Sequence, residues 1–420
     1  MFGTLYVRSW AGVSLLWLAA SCGSPLAAAA APDSAATALH VEGAKIKDAT
    51  GKAILVRGIN HHGFVDVPDG AWDAPGKPLF SGIGHWDPAV IKGVLEEYRR
   101  LGFNVLRFHT VVEWWKENPQ SYKDPWRSVT YSEPYRQMLK DTIRWAGERG
   151  LYVVFDFFAM KNTQGKQSGQ ETLPWPPYNH YPDVVGSRAE FLAIWKSVAQ
   201  ELAPFPNVLF ELYNEPNGDD KAEAEWFAFC EQALPAIRAY ATNPVIIQWD
   251  YACWVNLDNP PPQGRASTLA WIERHPLRGD NIIYGTHLYR NSGGGGPGAI
   301  HRSKNGVVNL WEAEDIRQGL ELALFPHTVR EIKKPMLVTE IGAYLKYKGQ
   351  DRSQELSHEL LWFKNILATL NGWGIGYVDW AWQSDEHIDH GALHQGTPNQ
   401  AGQIFLDSLK PLADGKKDVH

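Results

Sequence analysis

The sequence predicts an α/β fold, a single-domain (β/α)8 TIM barrel with long loops after its strands. Short β-branched or aromatic segments alternate with longer amphipathic segments, and this alternation is typical of repeated βα units. Most of the 420 residues follow a predicted leader, which leaves a length normal for one barrel with extended loops. An open, doubly wound sheet would usually carry a glycine-rich phosphate turn after its first strand, and the sequence has none.

Eight strands are predicted, in chain order at 54–59, 104–108, 152–157, 208–212, 245–248, 282–287, 336–339 and 376–380. The clearest helices are predicted at 88–101, 133–149, 188–202, 221–240 and 354–370, with a last helix at 403–409. The longest connections follow strands one, two, three, five and six. In a barrel such loops lie on one face, where functional side chains collect.

The N-terminus predicts a signal peptide over residues 1–31, because Arg8 precedes an apolar run and a series of alanines follows it. We expect a secreted protein, extracellular or periplasmic. A lipoprotein anchored at Cys22, within a lipoprotein-like box, is the alternative. The barrel domain is then predicted over 32–412, with a charged tail over 413–420. No later segment offers about 20 uninterrupted apolar residues, so we expect no integral membrane domain.

The composition narrows the choice of partner. A net charge of -7 and a pI of about 6.1 give no basic surface for a polyanion, which argues against nucleic acid. The chain holds 19 Trp, and indole faces stack well on sugar rings. Several of them lie in the predicted loops, among them Trp114, Trp115, Trp175 and Trp254. We therefore expect a carbohydrate partner, and a protein that acts as a monomer.

Neither a metal nor a cofactor is predicted. The Cys residues lack the spacing of a zinc site, and whether Cys230 pairs with Cys253 stays open. The tandem His61 and His62 after strand one have no further spaced ligand beside them. We expect these two residues to face the surface or the substrate, and His109 to face the cleft.

Two carboxylates stand at the carboxyl ends of predicted strands. Strand four leads into Asn214, Glu215 and Pro216, and strand seven into Glu340. These strands lie opposite each other in an eight-stranded barrel, so the two side chains can converge to about 5 Å. At that separation one can act as nucleophile and the other as acid/base. A loop carboxylate at Glu215 and a buried ion pair between Glu340 and Arg107 are the structural alternatives.

The segment Asn214-Glu215-Pro216 resembles the signature of glycoside hydrolase family 5, the cellulase family of retaining (β/α)8 barrels with catalytic Glu residues on strands four and seven. Further positions agree with that family's pattern in the expected order, namely Arg107, His287, Tyr289, Glu340 and Trp380. The resemblance covers the whole barrel. It implies that Glu215 is the acid/base and Glu340 the nucleophile of a double displacement.

The resemblance also implies supporting roles. Asn214 would bind the sugar 2-hydroxyl, and Arg107 would keep Glu340 ionised and oriented. Tyr289 would donate a hydrogen bond to Glu340, and His287 would assist the acid/base in its change from acid to base.

The same resemblance implies a β-linked polysaccharide or oligosaccharide as substrate, with Trp380 as the floor beneath the reacting sugar. Phe158 stands where many members carry a His, which leaves the shape and polarity of this subsite open. We expect an endo-β-1,4-glucanase. A β-mannanase or an exo-acting β-glucanase of the same family is the alternative, and a noncatalytic carbohydrate-binding barrel is the alternative of another class.

Overall fold

The computed structural model describes residues 35–61, 88–120, 122–123, 130–161, 172–249, 271–290, 303–304, 307–308, 312–322, 332–343, 345, 353–382, 387–392 and 395–410. Eight parallel strands form a closed barrel: β1 (Arg57–His61), β2 (Val105–Val111), β3 (Tyr152–Ala159), β4 (Val208–Glu211), β5 (Val245–Ile247), β6 (Ile282–Tyr289), β7 (Met336–Gly342) and β8 (Gly376–Trp382). Each strand pairs with the next, and β8 pairs with β1. The predicted (β/α)8 barrel is confirmed, whereas the predicted leader and tail lie outside the described residues.

Helices alternate with the strands: α1 (Pro88–Leu101), α2 (Tyr135–Glu148), α3 (Arg188–Leu202), α4 (Asp220–Arg238), α5 (Trp271–Arg274), α6 (Ala313–Leu322), α7 (Ser353–Trp373) and α8 (Gln400–Ser408). Three of them begin after a side-chain cap. Ser187, Asp219 and Asn399 each accept a hydrogen bond from a backbone N–H of the first turn. Within the described ranges, none of the helices has the length and apolar character to cross a membrane.

The amino-terminal end of the barrel is closed by apolar side chains. Each of β2 to β8 contributes to this cluster, β3 with two buried residues and the others with one: Val105, Tyr152, Val154, Leu209, Ile246, Ile283, Leu337 and Val378. A hairpin of two strands, His40–Glu42 and Lys45–Lys47, precedes the barrel in the chain, and Ile46 belongs to the same cluster. The Val41 amide donates to Asn281 Oδ1 at 2.7 Å and ties the hairpin to the start of β6. A ligand must therefore approach from the carboxyl ends of the strands.

A second apolar layer lies between the strands and the helices. Phe155 and Phe157 of β3 pack edge to face against Trp195 of α3 and against Trp115, with ring centroids 5.3 to 6.4 Å apart. Trp115 lies on a short helix, Val112–Glu117, and is 1% exposed, while Trp175 is 2% exposed. These loop tryptophans serve packing and offer no surface to a ligand.

Strand pairing is irregular near the carboxyl ends of three strands. In β3 the extra residue is Phe158, because its two neighbours pair with consecutive residues of β2. In β7 the extra residue is Thr339, whose neighbours pair with consecutive residues of β6. The pairing of β8 with β1 shifts between Asp379 and Trp382. Such bulges redirect side chains, and all three lie at the open end of the barrel.

Candidate active site

Arg107 of β2 lies at the centre of the open end and is fully buried. Its Nε donates to Glu211 Oε2 at 2.5 Å and its Nη1 donates to Glu340 Oε1 at 2.6 Å. Its Nη2 lies 2.9 Å from Asp156 Oδ2. Burial by itself would lower the pKa of Arg107, but the three carboxylates raise it, so the guanidinium stays charged.

The three carboxylates around this guanidinium are crowded. Burial raises the pKa of Asp156 well above its usual value, and the attraction of Arg107 offsets only part of that effect. Neither oxygen of Asp156 accepts a hydrogen bond from the described residues, so the contact with Arg107 is one of charge. Burial also raises the pKa of Glu340, against the lowering influence of His287 and Arg107. Burial thus favours the protonated form of Asp156.

Two Asn side chains orient the cluster. Asn60 Oδ1 accepts from Arg107 Nη1 at 3.1 Å and lies 2.9 Å from His109 Nε2. Asn60 Nδ2 donates to the carbonyl of Thr339 at 3.0 Å, which links β1 to the bulge of β7. Asn214 Oδ1 accepts from Arg107 Nη2 at 2.8 Å. The amide nitrogen of Asn214 is then the group that can donate to a ligand hydroxyl.

Glu215 and Glu340 face each other beside this cluster. The Tyr289 hydroxyl donates to Glu340 Oε2 at 2.7 Å, so that both oxygens of Glu340 accept a hydrogen bond. Glu215 Oε1 lies 2.7 Å from His287 Nδ1. One polar atom from each of Glu215, His287 and Glu340 lies within 4.8 Å of the other two. This is the close separation at which one carboxylate can attack while the other transfers a proton.

The two carboxylates differ in their surroundings. Glu340 contacts a guanidinium and a phenol, its side chain is 6% exposed, and its Oε2 lies 3.5 Å from His287 Nδ1. The side chain of Glu215 is 13% exposed and lies closer to the same imidazole nitrogen, at 2.7 Å. Burial lowers the pKa of His287 to about 4, so this ring is neutral near pH 7. Glu215 has a φ of 47°, in the left-handed region that few residues other than glycine adopt. The chain turns sharply there and aims the carboxylate across the barrel mouth.

An aromatic wall adjoins the two carboxylates. The rings of Phe158 and Trp380 stack with centroids 6.0 Å apart and an interplanar angle of 23°. His109 meets Phe158 edge to face at 4.4 Å and Trp380 at 5.5 Å. Phe158 is 5% exposed and Trp380 is partly exposed. The residue that departs from the family pattern is thus an apolar neighbour of the predicted sugar platform.

The remaining predicted site residues lie elsewhere. His61 does not join the cluster, because alternation along β1 turns Asn60 into the barrel and His61 outward, where its Nδ1 contacts the Tyr98 hydroxyl of α1. His62 and Trp254 lie outside the described residues. So does Cys253, while Cys230 is a buried free thiol.

Four polar residues of the site are not among the site residues predicted from the sequence: Asn60, Asp156, Glu211 and Thr339. All are buried on barrel strands. The only signal is a polar residue within an otherwise apolar strand. Such a residue must find a partner when it is buried, and the partners of these four come from other strands.

The side chains of Glu215, His287 and Glu340 are of types that also bind metals. Here both oxygens of Glu340 accept hydrogen bonds from protein donors, and His287 Nδ1 contacts Glu215. The arrangement can therefore support proton transfer and nucleophilic attack.

Comparisons with known proteins concern the family and the fold of the chain. Residues 48–386 match the model of the family described as cellulase, glycosyl hydrolase family 5. An endoglucanase of Clostridium saccharobutylicum is 24% identical over 60% of this chain and 43% of its own length. Endoglucanase E-5 of Thermobifida fusca is 30% identical over 38% of this chain and 28% of its own length. The chain thus spans less than half the length of these curated relatives.

Solved structures support the fold. A hyperthermophilic endocellulase of Pyrococcus horikoshii superposes with a TM-score of 0.62 at 15% identity, over 90% of this chain and 99% of that one. A β-glucanase of Saccharophagus degradans, solved in complex with cellotetraose, superposes with a TM-score of 0.59 at 18% identity, over 89% and 93% of the two chains. At these identities the likeness concerns the fold alone.

Proposed function

Because this chain belongs to the cellulase family, glycosyl hydrolase family 5, we propose that it is a retaining endo-β-1,4-glucanase. The observation that carries the proposal is the close approach of the two carboxylates, one oxygen of Glu215 lying within 4.8 Å of one oxygen of Glu340. An inverting enzyme needs about 6.5 to 9.5 Å between its carboxyl groups, because a water molecule must fit between one of them and the sugar. The endoglucanase and β-glucanase names of the relatives support the choice of β-glucan.

In the first half reaction Glu340 attacks the anomeric carbon. The bond from this carbon to the leaving oxygen breaks, and Glu215 gives its proton to that oxygen. Arg107 and Tyr289 hold both oxygens of Glu340, which orients the attacking one. The Asn214 amide can donate to the sugar 2-hydroxyl, where a hydrogen bond strengthens as positive charge develops on the ring.

In the second half reaction a water molecule attacks the same carbon. Glu215, now a carboxylate, takes a proton from this water, and the bond between Glu340 and the sugar breaks. The anomeric configuration is inverted twice and so retained. The partly exposed Trp380 provides a flat apolar face for the sugar during both steps.

The experiment is digestion of a panel of β-1,4-glucan, mixed-linkage glucan, mannan and xylan by the purified protein. We expect a fast fall in the viscosity of carboxymethylcellulose relative to the release of reducing ends, because an endo enzyme cuts within chains. Proton NMR should give the β-anomer first. Faster cleavage of mannan would replace the substrate assignment, and initial release of the α-anomer would contradict retention.

Variants test the two carboxylates. Glu340→Gln should lower kcat by several orders of magnitude, and Glu215→Gln should be partly rescued by azide on an activated aryl glycoside. Glu201→Gln is a matched control, because Glu201 is a partly exposed partner of Arg136 on the barrel exterior. Wild-type turnover by Glu340→Gln would refute the assignment of the nucleophile.

A further inference from the structure

The bulge in β7 gives Thr339 an unusual position. In a regular strand, neighbouring side chains point to opposite faces. Here Thr339 is the extra residue of the bulge, and both it and Glu340 contact groups inside the barrel. The Thr339 hydroxyl lies 2.8 Å from Glu211 Oε1 and 3.2 Å from His287 Nε2, and it is fully buried. It therefore joins the carboxylate of β4 to the imidazole of β6.

The single proton of this hydroxyl has three possible acceptors. Glu211 Oε1 lies at 2.8 Å, His287 Nε2 at 3.2 Å and the Gln248 amide oxygen at 3.5 Å. A hydrogen bond to a carboxylate is shorter and about twice as strong as one between neutral groups. Glu211 also accepts from Arg107 through its other oxygen. Thr339 therefore donates to Glu211, and its oxygen is left to accept the Nε2–H of His287.

This arrangement determines where the proton lies on the other side of the ring. A neutral imidazole carries one N–H, and burial holds the pKa of His287 at about 4. The other charged groups that face the ring are Glu211, Glu340 and Arg107. With its proton on Nε2, His287 presents a lone pair at Nδ1, 2.7 Å from Glu215 Oε1. Two lone pairs cannot share such a contact, so the proton between them comes from Glu215.

We propose that Thr339 is a positioning residue, which fixes the tautomer of His287 and thereby keeps Glu215 protonated before the reaction. The inference rests on the proposed glycoside hydrolase function. In the first half reaction the proton passes from Glu215 to the leaving oxygen. The resulting carboxylate then faces the lone pair of Nδ1, which makes Glu215 a stronger base towards the attacking water in the second half reaction.

Thr339→Val removes the hydroxyl at nearly constant volume. The Nε2–H of His287 then loses its acceptor, and the ring can move its proton to Nδ1 and donate to an ionised Glu215. The loss of one buried hydrogen bond is worth about a tenfold change in this equilibrium. We expect the alkaline limb of kcat/KM on cellotetraose to move down by about one pH unit. Dinitrophenyl β-cellobioside should be cleaved nearly normally, because its leaving group needs no proton.

Two control variants accompany this test. Thr339→Ser keeps the hydroxyl and should restore the wild-type alkaline limb. Thr142→Val removes a buried hydroxyl of α2, which donates to the Met138 carbonyl, and should leave the pH profile unchanged. If Thr339→Val keeps the wild-type limb, or if Thr339→Ser shifts it equally, the inference is wrong.

Neutron diffraction from wild-type crystals at neutral pD does not depend on the folding of a variant. It should place a deuteron on His287 Nε2 and another on Glu215, whereas a deuteron on Nδ1 would overturn the inference. The experiments distinguish a failure of the proposed function from a failure of the proposed role of Thr339. A wild-type protein without activity on any β-glycan refutes the proposed function, while an active wild type with the deuteron on Nδ1 refutes only the role of Thr339.

Discussion

Replacing Arg107 by Lys keeps the positive charge but removes the planar guanidinium group, whose nitrogens contact five side chains. These contacts range from 2.5 to 3.1 Å and involve Asn60, Asp156, Glu211, Asn214 and Glu340. Four of these contacts are hydrogen bonds, and a Lys ammonium has three donors on one nitrogen, so at least one hydrogen bond must be lost.

The cost of Arg107→Lys follows from this count. A buried polar group left without a partner costs about 1 to 3 kcal/mol, so the loss of one hydrogen bond should reduce the free energy of unfolding by at least that amount. Activity should fall as well, because Glu340 and Asn214 are both oriented by Arg107. A misplaced nucleophile can cost about 100-fold in kcat.

Urea unfolding followed by tryptophan fluorescence measures the first effect, and kcat on carboxymethylcellulose measures the second. Arg317→Lys is the matched control. Arg317 contacts Glu314 and Glu321 on the exposed face of α6, where ion pairs are worth less than about 1 kcal/mol. If Arg107→Lys unfolds at the wild-type urea concentration and keeps the wild-type kcat, the reasoning from shared contacts is refuted.

Three further predictions concern separate parts of the chain. Tyr289→Phe removes a hydrogen bond that lowers the pKa of Glu340, so this pKa should rise. The acid limb of the kcat/KM profile should then move to higher pH, and kcat should fall about tenfold. An acid limb at the wild-type pH would contradict this prediction. Burial raises the pKa of the Cys230 thiol well above its usual value, so peptide mapping should find it alkylated only after unfolding. We also propose that residues 1–31 direct export, and intact mass of the exported protein should lack them.

The barrel could be predicted because its strands and helices have strong local patterns. The bounds predicted for α1 and α3 agree with the structure, since apolar periodicity begins and ends with each helix. Six of the eight strands continue past their predicted carboxyl ends, whereas β4 and β5 end one residue before them. The prediction for β7 stopped at Thr339, yet the strand continues to Gly342, because Glu340 interrupts the apolar run while the backbone still pairs with β6.

Only some residues of the candidate site could be predicted, because only some of them belong to a motif within one segment of the sequence. Glu215 stands in a short motif after an apolar strand, and Glu340 directly follows another apolar run, so both could be selected from the sequence. Asp156 and Glu211 have no comparable motif. Their common partner Arg107 comes from another strand, so the network exists only once the barrel is closed.

Strand bulges account for what alternation alone misses. If β7 were regular, Thr339 would point towards the helices whenever Glu340 points into the barrel, and no proton assignment for His287 could involve it. In β3, Phe157 packs against Trp195 on the helix side, so alternation alone already turns Phe158 into the barrel, where it meets Trp380. A bulge is defined by the register of the neighbouring strand, which no single segment of sequence contains. That Thr339 and Glu340, two neighbours in sequence, both face the barrel interior therefore follows from strand pairing and not from their own segment.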